Sequence, residues 1–196
     1  MFRKVIVTSS LFLFASTSAY SDNYENSRSS GWYAGLSTSV ANVGGSAIVD
    51  NGYSNREFDI DTSDDPLTLK IGYVTESQNG IEAYYKDDSI SFEGESLDFQ
   101  TSSFGANFQW GISSLSSEKM MPYFRVGGGL GSAKTEGAGD LTMAEFDMGA
   151  GVHYDMTDNL GLSAGVYRRA IAVTDDYDTV AAAMNGAELG VNFYTY

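Results

Sequence analysis

The sequence has no cysteine, one histidine and two prolines in 196 residues. Without cysteine there is no disulfide framework, no thiolate metal site and no cysteine nucleophile. A lone His153 excludes any catalytic or metal cluster that needs two histidines. Basic residues are scarce: 11 Lys and Arg stand against 26 Asp and Glu, for a formal net charge of −15. An acid surplus of this size repels phosphate backbones, so no nucleic-acid partner is expected. No stretch after the N-terminal region approaches the ~18 apolar residues that a membrane helix needs.

What the chain does have is glycine and aromatic residues: 22 Gly, 13 Tyr, 11 Phe and two Trp. Helix-rich proteins rarely carry this mixture, because glycine is costly inside helices.

The N-terminus reads as an export signal. Arg3 and Lys4 precede a mostly apolar run, Val5 to Phe14, and the small residues Ala15, Ser16, Ser18, Ala19 and Ser21 follow. A short positive region, a short apolar region and small residues form the pattern of a cleaved secretory signal over 1–21, with cleavage after Ala19 or Ser21. Its removal takes the net charge from −15 to −17. A short periplasmic segment, 22–30, would then lead into a single domain, 31–196.

From residue 31 the apolar residues recur with period two, which is the signature of half-buried strands. The alternating segments are 32–40, 67–74, 80–87, 101–110, 122–131, 143–154, 160–169 and 186–195. In 143–154, for example, one phase holds Ala144, Phe146, Met148, Ala150, Val152 and Tyr154, while the other holds Glu145, Asp147, Gly149, Gly151 and His153. Eight segments of about ten residues suit an all-β, eight-stranded antiparallel barrel crossing an outer membrane. The links 41–66, 87–100, 132–142 and 170–185 are expected as long outer loops. The links 75–79, 111–121 and 155–159 are expected as mostly shorter turns on the side of both termini, the periplasm.

Three features assign the apolar phase to lipid and the polar phase to the lumen. Glycine crowds the polar phase, where the narrow interior of an eight-stranded barrel leaves little room. The charges there balance: Lys70, Lys86, Arg125 and Arg169 against Glu82, Glu145, Asp147 and Glu188. Buried charges require such pairing, whereas surface charges do not. Finally, Trp32, Tyr73, Trp110, Phe124, Tyr154 and Phe193 fall at the periplasmic end of the apolar phase, as an aromatic girdle at headgroup level.

Short motifs resemble a known family. Gly31-Trp32-Tyr33-Ala34-Gly35 resembles the first strand of the small outer-membrane barrels of the OmpA transmembrane-domain, OmpX and opacity-protein kind. Pro122-Tyr123-Phe124-Arg125-Val126-Gly127-Gly128-Gly129 is similar to a fifth strand, and Leu189-Gly190-Val191-Asn192-Phe193 to a closing strand, of the porin-family outer-membrane barrel domain. The resemblance implies a Gram-negative outer membrane, eight strands and insertion by the barrel assembly machinery. The family ends on an aromatic residue in the lipid phase. Phe193 keeps that phase and Tyr196 does not.

No catalytic, cofactor or metal site is expected. His153 falls in the lumen phase with Asp155 two residues on, whereas a lipid deacylase needs serine and histidine together on the lipid side. Gly128–Thr135 falls one glycine short of a phosphate-binding loop and lacks a following helix. Asp59-x-Asp61 lacks the glycine and distal glutamate of a calcium loop. The function expected is a non-enzymatic surface protein whose charge-paired lumen is filled and whose acidic loops serve surface interaction or membrane integrity. Its partners would be outer-membrane lipids, lipopolysaccharide and a host or environmental ligand. A small porin is the alternative, and a lipid-modifying enzyme the more distant one.

Overall fold

The computed structural model describes residues 30–50, 55–62, 66–92, 98–117, 119–135, 140–174 and 179–195. The export signal, nearly all of segment 22–30, and Tyr196 lie outside the described residues. Nine strands follow in chain order: β1 (Gly31–Asp50), β2 (Asn55–Thr62), β3 (Leu67–Val74), β4 (Gly80–Phe92), β5 (Asp98–Gly111), β6 (Met120–Lys134), β7 (Leu141–Thr157), β8 (Leu160–Thr174) and β9 (Thr179–Thr195). Every pairing is antiparallel, and β9 returns to pair with β1, which closes the sheet.

The nine strands make eight staves, because β2 and β3 share one. Each pairs with β1 on one side and β4 on the other: β3 nearer the termini, β2 farther out. Pro66 stands at the break, where a residue without an N–H cannot extend the ladder. The ladder fixes the tilt. Following cross-strand partners from Trp32 through Tyr73, Ile81, Phe108, Val126, Met148, Arg168 and Asn185 returns to β1 at Gly44, twelve residues along. This stagger corresponds to strands inclined at roughly 45°.

The strands are longer than their sequence pattern, and the expected long loops are corrected. Most of 41–66 is strand, as are parts of 87–100, 132–142 and 170–185. Asp59 is an exposed residue of β2, not of a loop. The cause is an inversion of polarity along the barrel. Near the termini the outward side chains are apolar: Leu36, Ile71, Ile81, Phe108 and Val166 are all exposed. Farther out the outward positions become polar, with Asp98, Gln100, Lys134, Thr142, Thr174 and Thr179 exposed. There the inward positions turn apolar. Ala47, Ile60, Ile90, Phe99, Ala133, Met143, Ile171, Val173, Ala182 and Met184 form one buried cluster inside the barrel. A wall facing lipid can bury polar groups behind it, whereas a wall facing water must bury apolar ones to stabilise itself. The phase flip makes a continuous strand look as if it ends.

Glycine explains how large side chains fit inside. Tyr33, Tyr84, Tyr123 and Tyr167 point inward, and each faces a glycine on the next strand: Gly72, Gly105, Gly151 and Gly186. A Cβ on Gly105 would lie 2.3 Å from the Tyr84 ring, and one on Gly72 would lie 2.5 Å from that of Tyr33. The rings occupy the space those side chains would take.

Candidate functional site: a three-tiered lumen

The lumen is the chemically distinctive part of the molecule. At the terminal end, Tyr33 and Tyr194 pack at 5.7 Å between ring centroids, and Tyr123 stacks on His153 at 4.4 Å. His153 Nε2 lies 3.2 Å from Gln109 Oε1, and Asn192 Nδ2 lies 3.3 Å from His153 Nδ1. These partners suit a neutral ring that donates from Nε2 and accepts at Nδ1. The turn 75–79 closes this end: Gln78, at a φ of 64°, is buried, accepts from the Gly111 amide at 3.1 Å and accepts from the Ser116 hydroxyl at 2.9 Å.

The second tier is ionic. All eight charged residues singled out above point inward. Arg125 donates to both carboxylate oxygens of Glu188, at 2.5 and 3.0 Å, and to Asp147 at 3.5 Å. Lys86 bridges Asp147 at 3.2 Å and Glu145 at 3.9 Å. Arg169 holds Glu145 at 2.6 Å and Asp88 at 2.5 Å. One chain of alternating charge therefore runs from Glu188 to Asp88. Lys70 sits apart, 3.9 Å from Glu82, which also accepts from Tyr33 at 2.8 Å and Asn107 at 2.9 Å. Tyr84 and Ser103 donate to Glu145 at 2.5 and 2.9 Å.

Asp88 was missed by the sequence pattern, which ends its strand at residue 87. It is 7% exposed and belongs to the network. With it the ionic tier carries, among the described residues, five carboxylates against four cations, a formal −1 where the expected set of eight is neutral. The signal that finds it is the run Ser89 to Phe92, which continues β4.

The third tier is the apolar cluster at the far end. Within the ionic tier, beside the break between β2 and β3, lies a void of about 20 Å³, bordered by Ser37, Pro66, Lys86, Asp88, Arg125 and Glu188. That is room for about one water molecule.

Outside, Trp32, Trp110, Phe124, Tyr154 and Phe193 are exposed, and Tyr73 is half-buried against Trp32 at 5.4 Å. All six point away from the lumen at the terminal end of the barrel. The stretch resembling a phosphate-binding loop is mostly part of β6, where Gly128–Ala133 pairs with both β5 and β7 and Lys134 with β5.

The sequence matches no family model and no curated protein. Solved structures do match. Neisserial surface protein A is 19% identical over 84% of this chain and 97% of its own, with a TM-score of 0.53. The outer-membrane protein OprG of Pseudomonas aeruginosa is 9% identical over 87% and 99%, with a TM-score of 0.49. Ail, the attachment invasion locus protein of Yersinia pestis, is 18% identical over 82% and 98%, with a TM-score of 0.39. The first of these carries the assignment of fold.

Proposed function

From an outer-membrane barrel fold as premise, we propose that this chain is a non-enzymatic, non-conducting outer-membrane protein that holds a rigid rim above the bilayer for surface contact. The observation that carries the reading is the three-tiered lumen. An aromatic layer, an ion-paired layer and an apolar layer follow one another, and the void among the ions holds about one water molecule. A pore needs a continuous wet path, and a tightly packed apolar layer dewets it.

The inversion of polarity supports the membrane placement. Apart from Ile48, the exposed large apolar side chains end near Val40, Leu67, Phe104 and Leu130, and the apolar interior begins above them. The rim therefore stands in the headgroup layer and beyond. The short turns and both termini share the other end, read here as the periplasmic face, with the aromatic ring at that interface. The partners proposed are outer-membrane lipids and lipopolysaccharide around the belt, the barrel assembly machinery during insertion, and a host or environmental ligand at the rim. His153 supports the non-enzymatic reading, since it is buried in the lumen with both ring nitrogens engaged.

Planar-bilayer recording tests the proposal. Purified protein should give no steady ion conductance. Single-channel currents that vanish on Arg125→Ala or Glu82→Gln would replace this reading with that of a small porin.

A further inference from the structure

Two outward charges stand at the upper edge of the apolar belt with no counter-charge beside them among the described residues. Arg168 is exposed on β8, in phase with the lipid-facing Val166, and its cross-strand partners are Met148 and Asn185. Asp87 is exposed on β4, and its cross-strand partners are Leu67 and Ser102. Neither has an ion-pair partner among the described residues.

The two charges are related by the architecture. β4 forms the third stave and β8 the seventh, so they lie on opposite sides of an eight-stave barrel. They also lie at one height. Arg168 is four ladder steps beyond Ile81, and Asp87 is six residues above Ile81 on the same strand. At a tilt of about 45°, four steps of ~4.8 Å and six residues of ~3.3 Å climb equally, about 14 Å each.

The surroundings differ in shape. Beside Asp87 stand the large side chains Leu67, Tyr85 and Phe104, with the Tyr85 and Phe104 rings 4.8 Å apart. Beside Arg168 the β9 side is low, with Ala170, Ala183 and Ala187, while Met148 and Val166 stand on its other sides.

The geometry points to a second copy of this chain as the partner: the Asp87 face of one barrel docks on the Arg168 face of the next. Opposite faces make the contact heterologous, and a rotation near zero does not close a ring, so barrels align in rows. The acid surplus shared by the copies acts at longer range and is screened over ~8 Å at physiological salt. At the belt edge the pair meets beside lipid, where screening is weaker. This inference rests on the membrane placement proposed above.

The absence of native cysteine makes the test clean. Across such a contact the staves run in opposite senses, so Leu67, beside Asp87, faces Asn185, beside Arg168. A chain carrying both Leu67→Cys and Asn185→Cys is treated with a short bismaleimide in isolated outer membranes. The expected result is a ladder of multimers, with no dimer from either single variant. Arg168→Glu or Asp87→Arg in that background should abolish the ladder, and the two together should restore it. Arg168→Gln should weaken it, and covers the case in which a reversal blocks insertion. The proposal is overturned by dimers from a single-cysteine variant, by a ladder indifferent to Arg168, or by no ladder at all. In the last case, loss of co-purified phosphorylated lipid from Arg168→Gln would assign the residue to lipid headgroups. Recovery of the protein outside the membrane fraction would instead overturn the membrane placement.

Discussion

Replacing Arg169 by methionine is the most informative single perturbation of this barrel. Its side chain is 2% exposed and lies between Glu145 and Asp88, which are just as deeply buried. Methionine fills most of the volume and removes the charge, taking the formal interior charge from −1 to −2. Breaking a buried pair by deleting one partner costs about 3–5 kcal/mol, because the remaining charge is left desolvated and uncompensated. An exposed pair contributes only about 0–1 kcal/mol. With a urea slope near 2 kcal/mol per molar, the unfolding midpoint in detergent micelles should fall by roughly 2 M. Asp88→Asn alone should cost far less, since Arg169 keeps Glu145 and the interior becomes neutral. Adding Asp88→Asn to Arg169→Met should recover part of the loss, as a coupling of roughly 1–3 kcal/mol. A loss below about 1 kcal/mol for Arg169→Met, or strict additivity of the two changes, would refute a buried, coupled ion layer.

Other outcomes follow from the same geometry. Phe99→Ala, in the apolar tier, should cost about 3–5 kcal/mol in urea unfolding and leave bilayer conductance at zero, because the ionic tier still blocks the path. Gly105→Ala would put a Cβ 2.3 Å from the Tyr84 ring and 2.4 Å from the Gly128 carbonyl oxygen, and should cost about 1–3 kcal/mol, partly relieved by Tyr84→Ala. Unboiled protein should migrate differently from boiled protein on an SDS gel, as a closed ladder resists detergent; identical mobility would count against the barrel. N-terminal sequencing of protein from outer membranes should begin at Tyr20 or Asp22, and an intact Met1 would remove the export signal from the account.

The sequence by itself determined the fold class, the number of staves and, within the alternating segments, the side of the wall each residue faces. It did so because lipid outside and a crowded polar lumen inside impose opposite demands at every second residue, from Trp32–Val40 to Ala187–Phe193. It also named eight of the nine charges in the network, since a charge in the polar phase of a narrow barrel has nowhere else to point. It underestimated strand length, because Ile90, Ile171, Val173 and Met184 carry the apolar phase on the other side of the wall. Only the tertiary structure decided which charges pair, since Arg169 with Asp88 and Arg125 with Glu188 join residues 81 and 63 positions apart. It alone placed Asp87 and Arg168 at equal height on opposite faces, because height in a tilted barrel depends on the stagger of all eight staves together.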